Sequence, residues 1–431
     1  MNPNPGRASR SRTPCALCLV VFLSFPFSSA VADGNQPLTL SDAEHIALRD
    51  DPEVGASLAR AEALRADAVA DAQLPDPKLR TGLYNLPLDD LDIRRVPTTQ
   101  LRVGIQQAFP RGDTLKFKSL RTESRALLES VRARQQRGAI LRDVRKTFLD
   151  VYFQVEAARI IRSNRRLFKS LTEITRVQYA SGGSSQQDVL RAELELSRLD
   201  DRLIQVKTRE DLARAELSRW IGPAAWRSLP KALPELPSAP DEDDVLEHLE
   251  KHPEIGMRSA IIETHRQSIA IAKQQYRPGW TVGAEYRMRF GDNPDGSGRS
   301  DMAALMLTVD LPLFKKNRQD KRVLASQKQA DAAFFDRDNT YRKLRERVAS
   351  VTANLKRLND RIRRYDSRLS REARANARAA LDAYQNGTLE FTGLMRARIT
   401  ELEIRLQALK LRVDRLKNQA GLLYLAVGEE Q

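Results

Sequence analysis

Between Asn317 and Gln385 the chain has no proline and no glycine. These are the residues that end or kink helices, so their absence leaves little freedom in what this stretch can form. Apolar residues recur there in alternating steps of four and three: Leu344, Val348, Val351, Leu355, Leu358, Ile362, Tyr365 and Leu369. A sustained heptad seam predicts a helix with one buried edge, here a rod of roughly 100 Å at 1.5 Å per residue. Tyr384-Gln-Asn-Gly387-Thr388 reads as a turn, and the seam resumes at Leu402, Leu406, Leu409, Val413, Leu416, Ala420 and Leu423. A hairpin from Lys315 to Gly428 is too long for an ordinary domain to cover. It must pack on copies of itself.

The N-terminus reads as a secretory signal over residues 1–32. Arg7, Arg10 and Arg12 precede an apolar run from Ala16 to Phe27, and Ala30-Val31-Ala32 fits a cleavage site with the mature chain starting near Asp33. Both cysteines, Cys15 and Cys18, fall in this leader, which excludes disulfides, thiolate metal sites and cysteine nucleophiles from the mature chain. Three of the +15 formal charges also lie there, leaving +12. Lysine and arginine alternate with aspartate and glutamate along the helices, the pattern of solvated helix faces rather than of a nucleic-acid surface. No later stretch is apolar enough for a membrane helix, so any insertion into a bilayer must use strands.

After the leader, Ser41 with Glu44 three residues on predicts a capped short helix. Pro52 opens a second helix, Glu53 to about Leu74. Strands are predicted near 78–86 and 99–109, joined by the acidic loop Pro87 to Pro97, and a long helical hairpin over 114–220 turns at Ser181-Gly182-Gly183. Residues 223–244 hold Pro223, Pro230, Pro234, Pro237 and Pro240 and form a connector. The order then repeats over 245–431, with strands near 280–290 and 302–311 and the hairpin 315–428. Asp51-Pro-Glu-Val-Gly55 matches His252-Pro-Glu-Ile-Gly256, Tyr179-Ala-Ser-Gly182 matches Tyr384-Gln-Asn-Gly387, and Leu190-Arg-Ala192 matches Met395-Arg-Ala397. A period near 200 residues indicates a duplicated unit: a mainly α chain with a small β part, organised twice as helices, two strands and a long hairpin.

In the second strand pair Trp280, Val282, Ala284, Tyr286, Met288 and Phe290 alternate with Thr281, Gly283, Glu285, Arg287 and Arg289. About ten residues with one apolar and one polar face suit a membrane barrel with a wet lumen. A half-buried soluble hairpin would read the same way.

The duplication, the two strand pairs and the paired turns Tyr179-x-x-Gly182 and Tyr384-x-x-Gly387, followed by Asp188-Val-Leu190 and Leu394-Met-Arg396, resemble the TolC-type outer-membrane factor family across nearly all of the mature chain. The resemblance implies a homotrimer in the outer membrane. Four strands per chain would form one twelve-stranded β-barrel, continued into the periplasm by an α-helical coiled-coil tunnel. It implies two protein partners, a periplasmic adaptor and an inner-membrane pump of the RND type. The tips that would meet the adaptor are Ser181, Gly182 and Gly183 in the first half and Asn386, Gly387 and Thr388 in the second. Asp188 and Tyr384 match gate positions. The chain departs from the family where Leu389 replaces a gate arginine and where Gly393 and Arg396 stand at ring-aspartate positions. Leu313-Phe-Lys-Lys-Asn317-Arg-Gln-Asp320 resembles the heavy-metal efflux branch, with drug efflux and type I secretion as the alternatives. A soluble periplasmic coiled-coil scaffold is the alternative of another class.

No catalytic constellation is found. His45, His248, His252 and His265 read as surface histidines, although His248 and His252 stand four apart. Asp292-Asn-Pro-Asp295-Gly296 resembles a calcium loop but has Ala303 at the closing position. There is no phosphate-binding glycine loop or nucleophile elbow. The reading is therefore a non-enzymatic duct without cofactor or bound metal.

Overall fold

The computed structural model describes residues 36–49 and 51–426. The predicted signal peptide (1–32), Cys15, Cys18, the mature start near Asp33 and the predicted helix end at Gly428 lie outside the described residues. The chain divides into Met1–Gln36, of which Gln36 alone is described, and one compact unit from Pro37 to Gln431.

Within that unit the order is α1 (Leu40–Arg49), α2 (Pro52–Asp71), β1 (Lys78–Tyr84), β2 (Gln100–Phe109), α3 (Thr114–Ala180), α4 (Gln186–Ile221), α5 (Glu242–His248), α6 (Pro253–Gln274), β3 (Gly279–Arg289), β4 (Met302–Asp310), α7 (Gln319–Arg364), α8 (Ser370–Gln385) and α9 (Phe391–Leu425). Strand and helix ends follow the proline and glycine punctuation closely. One difference is Lys315 to Arg318, which forms turns ahead of α7 rather than its first helical turn.

Three apolar cores run through the helices. One joins α1, the middle of α3, the end of α4 and α9 around Phe148, Leu217 and Val413. A second joins both hairpins around Ile161, Phe168, Leu199, Leu394 and Leu402. The third packs α5 and α6 on α7 and the end of α9 through Leu249, Ile255, Leu344 and Leu422. In α9 the seam residues Leu402, Leu406, Val413, Leu416 and Ala420 are buried, as the heptads predict.

Three sequence expectations are corrected. The first concerns the short N-terminal helix. Its reciprocal cap is Thr39 with Asp42: the Asp42 N–H donates to Thr39 Oγ1 and the Thr39 N–H to Asp42 Oδ2, each at 3.1 Å. Glu44 is instead drawn to Arg145 on α3 (2.7 Å), so the cap falls on the pair two residues earlier.

The second concerns the long rod. A π-helical turn, Tyr365–Leu369, separates α7 from α8. Continuing the heptads past Leu369 would bury Glu372, Asn376 and Ala379. The buried residues are Ala373, Ala377 and Ala380, each one position later. A π turn accommodates one extra residue. It thereby rotates the helix enough to replace a charged and an amide side chain with alanines at the interface.

The third concerns His252. It is not a surface residue but 1% exposed. It occupies the N-cap of α6, where Nδ1 accepts from the Glu254 N–H at 3.2 Å. Asp51, its counterpart in the first half, caps α2 by accepting from Glu53 N–H (2.9 Å) and Val54 N–H (3.0 Å).

Candidate functional site

The four strands form one antiparallel sheet in the order β1-β2-β3-β4, with β1 and β4 as unpaired edges. The register places Leu79 beside Ile105, Ile105 beside Ala284 and Ala284 beside Leu305. Side chains alternate across a strand. Leu79, Leu83, Val103, Ile105, Trp280, Val282, Tyr286, Met288, Leu305, Leu307 and Val309 therefore share one face, and all are exposed. Phe109 stacks on Trp280 on this face, ring centroids 4.8 Å apart. The opposite face carries Arg80, Arg102, Glu285, Arg287 and Thr308. Glu285 accepts from Arg287 at 2.6 Å, and the Arg102 guanidinium lies 4.0 Å from the centre of the Tyr84 ring. One side is apolar and unpartnered, and the other carries the charged groups together with Tyr84, Met302 and Met306.

The strands join the helices through a polar collar. Asp113 accepts from Arg277 at 3.1 Å, and Arg111 donates to the Gln275 carbonyl at 3.0 Å and lies 3.5 Å from Asp310. These contacts tie the first-half strand ends to the second half.

At the far ends of the hairpins the two turns have the same geometry. Gly182 has φ +79° and Gly387 φ +71°. The Gly183 N–H donates to the Gln178 carbonyl (2.8 Å) and the Gly182 N–H to that of Tyr179 (3.0 Å). In the second turn Thr388 donates to Ala383 (2.9 Å) and Gly387 to Tyr384 (3.1 Å). Each is a Schellman closure needing a left-handed residue at its centre, which glycine supplies without a Cβ penalty. Ser181 and Asn386 are the C-caps. Ser181, Gly182, Gly183, Asn386 and Gly387 are all exposed.

The predicted gate residues lie beside these turns. Asp188 Oδ2 accepts from the Ser185 N–H at 3.3 Å while the Asp188 N–H donates to Ser185 Oγ at 3.2 Å, a capping box on α4, and the Ser185 hydroxyl also donates to that carboxylate at 2.7 Å. The Tyr384 hydroxyl donates to Gln178 Oε1 at 2.5 Å, linking the second tip to α3, and its ring meets Phe391 edge-on at 5.7 Å. Leu389 and Gly393 form one feature: a Cβ at Gly393 would lie 2.7 Å from Leu389 Cδ1. The leucine fills the space that any larger residue at 393 would need. Arg396 is exposed.

Sequence reasoning missed Arg398. It falls four residues before Leu402, on the α9 seam, and is buried with Glu401 as partner at 3.0 Å. Extending the heptads backward past a charged residue would have found it. It also missed the group around Tyr424, whose hydroxyl donates to Glu254 at 2.9 Å and accepts from Gln135 at 3.1 Å. Burial pushes the Tyr424 phenol up to about 12 and holds the His252 ring, edge-on to it at 5.2 Å, below its ordinary value. Among the described residues no cluster of three or more His, Cys, Asp or Glu could hold a metal, and no helix is long and apolar enough to cross a membrane.

A strand face this apolar, continued by helices of up to 67 residues, defines a membrane-inserted channel with a long helical extension. The family model described as outer membrane efflux protein matches residues 45–223 and 246–429, and the chain belongs to that family. It is accordingly an outer-membrane efflux channel that extends into the periplasm. Solved structures share the fold. VceC from Vibrio cholerae has a TM-score of 0.76 at 16% identity over 91% of this chain and 97% of its own. CusC has a TM-score of 0.76 at 15% identity over 90% and 92%. The open-state MtrE channel of Neisseria gonorrhoeae has a TM-score of 0.75 at 15% identity over 90% and 88%. No curated protein matches the chain by sequence.

Proposed function

We propose that this channel is the passive exit duct of a tripartite efflux system, working as a homotrimer with a periplasmic adaptor and an RND-type inner-membrane pump. The observation that carries the reading is the sheet. Its apolar face is continuous over four strands, yet both edges are open, and open edges are not tolerated in hydrocarbon. Four strands cannot enclose a lumen wide enough for cargo. Three copies joined edge to edge give twelve strands and remove every edge. The two segments of the family match, 45–223 and 246–429, support the reading of two structural repeats separated by the connector 223–244.

The six exposed turn residues, Ser181, Gly182, Gly183, Asn386, Gly387 and Thr388, are the adaptor contacts in this reading. Tyr384 holds the tip shut through Gln178, and Asp188 fixes the start of α4 beside it. Heavy-metal cations are the proposed cargo, supported by the resemblance of Leu313 to Asp320 to the metal-efflux branch. A duct needs no ligands for its cargo, because its lumen leaves the ion hydrated and selection falls to the pump.

Survival of a deletion strain across two panels tests the cargo. Sensitivity confined to a few heavy metals is expected. Broad sensitivity to dyes, detergents and antibiotics would transfer the channel to drug efflux, and a loss of protein export to type I secretion. Resistance of the protein to extraction by alkaline carbonate is the companion expectation. Release into the soluble fraction would contradict the barrel.

A further inference from the structure

The outward stripe of β4 outlasts the strand. β4 ends at Asp310, but its outward residues Leu305, Leu307 and Val309 continue in step through Leu311 and Leu313, and all five are exposed. Phe314 follows at 84% exposure. Lys315, Lys316 and Arg318 come next, all exposed, and among the described residues their side chains make no ion pair or hydrogen bond. The nearest carboxylate in sequence, Asp320, is engaged by the Tyr276 hydroxyl at 2.5 Å. The segment curls around an open hollow of about 880 Å³ lined by Leu313, Phe314, Lys315, Lys316, Arg318 and Asp320. At the same end of the sheet the Phe109–Trp280 stack sits beside Val309. Along this line an apolar stripe gives way to aromatic rings and then to unpaired cations. A lipid leaflet presents the matching order of hydrocarbon, interface and phosphate.

We propose that Leu313 to Arg318 binds the phosphodiester headgroup of an anionic phospholipid in the leaflet nearest the helices. Leu313 and Phe314 enter the acyl layer, while the lysine stems lie along it and carry their ammonium groups to the phosphate. The inference rests on the membrane reading of the sheet given above. Two observations favour this occupant over others: the cations lack carboxylate partners, and the segment leads directly from the lipid-facing stripe with Leu311, Leu313 and Phe314 still exposed. Each cation near an anionic leaflet favours binding by about fivefold.

The test uses the full chain reconstituted in phosphatidylcholine vesicles. Phe314→Trp is the sole tryptophan, with Trp220, Trp226 and Trp280 replaced by phenylalanine. Bromination is placed either on the phosphatidylcholine or on a minority of phosphatidylglycerol. Quenching per brominated lipid should be several-fold greater for phosphatidylglycerol, and Lys315→Gln/Lys316→Gln/Arg318→Gln should bring the two to parity. High inorganic phosphate should leave the preference in place, since the stripe selects a lipid-borne phosphate; loss of the preference to free phosphate would overturn the lipid assignment. Equal quenching in the unsubstituted segment would overturn the inference and leave the barrel intact. No quenching by either lipid in a protein that resists carbonate would assign the hollow to a second copy of the chain, again overturning it. Release by carbonate would remove the membrane reading and the inference together. Carbonate resistance of the triple variant shows that it has assembled, so its loss of preference reports on the cations.

Discussion

The two hairpins close their tips with the same backbone hydrogen bonds, yet they differ in nearly every other respect. The first rises through a single 67-residue helix; the second is divided by a π turn at Tyr365–Leu369. The first restarts with the Ser185–Asp188 capping box. The second has Glu390 and Gly393 at those places, with no side-chain cap, and Leu389 lies over the glycine. The first leaves Ile174, Val177, Leu190 and Leu194 exposed beneath its tip. In the second, Phe391, Leu394 and Met395 are buried in the core that both hairpins share. The two hairpins thus share the element that backbone geometry enforces, a left-handed glycine ending each long helix. Side chains that only needed to suit their neighbours diverged. Near its tip the second hairpin is held by its own chain, whereas the tip of the first presents an unpartnered apolar strip to whatever assembles beside it.

The largest expected effect lies where the second hairpin is buried. Arg398→Ala leaves Glu401 as an unpaired charge in the inter-hairpin core and should cost about 3–5 kcal/mol, read as a lowered midpoint in urea. Val177→Asp on the exposed strip of the first hairpin should leave the fold of the isolated protomer nearly unchanged but weaken oligomers. An equal loss of protomer stability from both would break the comparison.

Deleting Ser367 should convert the π turn to regular helix and keep Ala373, Ala377 and Ala380 at the interface, with little loss of stability. A loss of roughly 2 kcal/mol or more, the cost of burying Glu372 and Asn376 instead, would show that the π turn does not absorb an extra residue.

On the sheet, Leu307→Arg should impair insertion by about 2–4 kcal/mol if the site lies mid-membrane, while Thr308→Arg on the polar face is tolerated. Assembly yield in outer-membrane fractions reads the difference, and equal tolerance would overturn the assignment of faces.

Smaller effects separate the two caps. Ser185→Ala should cost about 1 kcal/mol at the first tip, and Glu390→Ala close to nothing at the second, where no side-chain cap is made. Hydrogen exchange at the first turns of α4 and α9 would resolve the two.

The helix caps at Asp51 and His252 differ also in their response to acid. Asp51 caps α2 with a carboxylate, whereas His252 caps α6 with a neutral imidazole. Burial lowers the His252 value below 6.5, so the unfolded chain takes up this proton first. Stability is retained above 6.5 and is lost as pH falls below it. Protonated Nδ1 can no longer accept from the Glu254 N–H, and the new charge would face Arg347 on α7 as well as the Glu254 carboxylate. His252→Asn should keep the cap and flatten the dependence. A melting temperature with the same slope between pH 7.5 and 5.5 in both proteins would contradict this.

How far the sequence revealed all this depended on range. Proline and glycine mark element ends locally, and so the four strands, the hairpins and both turns could be read from the letters. The π turn left one trace, the shift from Leu369 to an alanine series out of step by one. Tyr365-Asp-Ser-Arg-Leu369 has nothing that distinguishes it from ordinary helix. The burial of His252 depends on Tyr424, 172 positions away, although its alignment with Asp51 already placed it at a cap. Asp188 was visible as a gate position, and its bonds to Ser185 show that it also caps the start of α4. The contact between Leu389 and Gly393 was hidden because the two departures from the family pattern were read separately, whereas space links them.

The closing of the sheet into a barrel by three copies is the central claim, and cysteine scanning tests it most directly, since the sequence has two cysteines, Cys15 and Cys18, both far from the strands in sequence and both replaceable. Single cysteines placed along β1 (Lys78–Tyr84) are paired in turn with cysteines along β4 (Met302–Asp310), and outer membranes are oxidised. One register should give a ladder of dimer and trimer that stops at trimer. Monomer at every register, or a ladder running past trimer, would contradict the account.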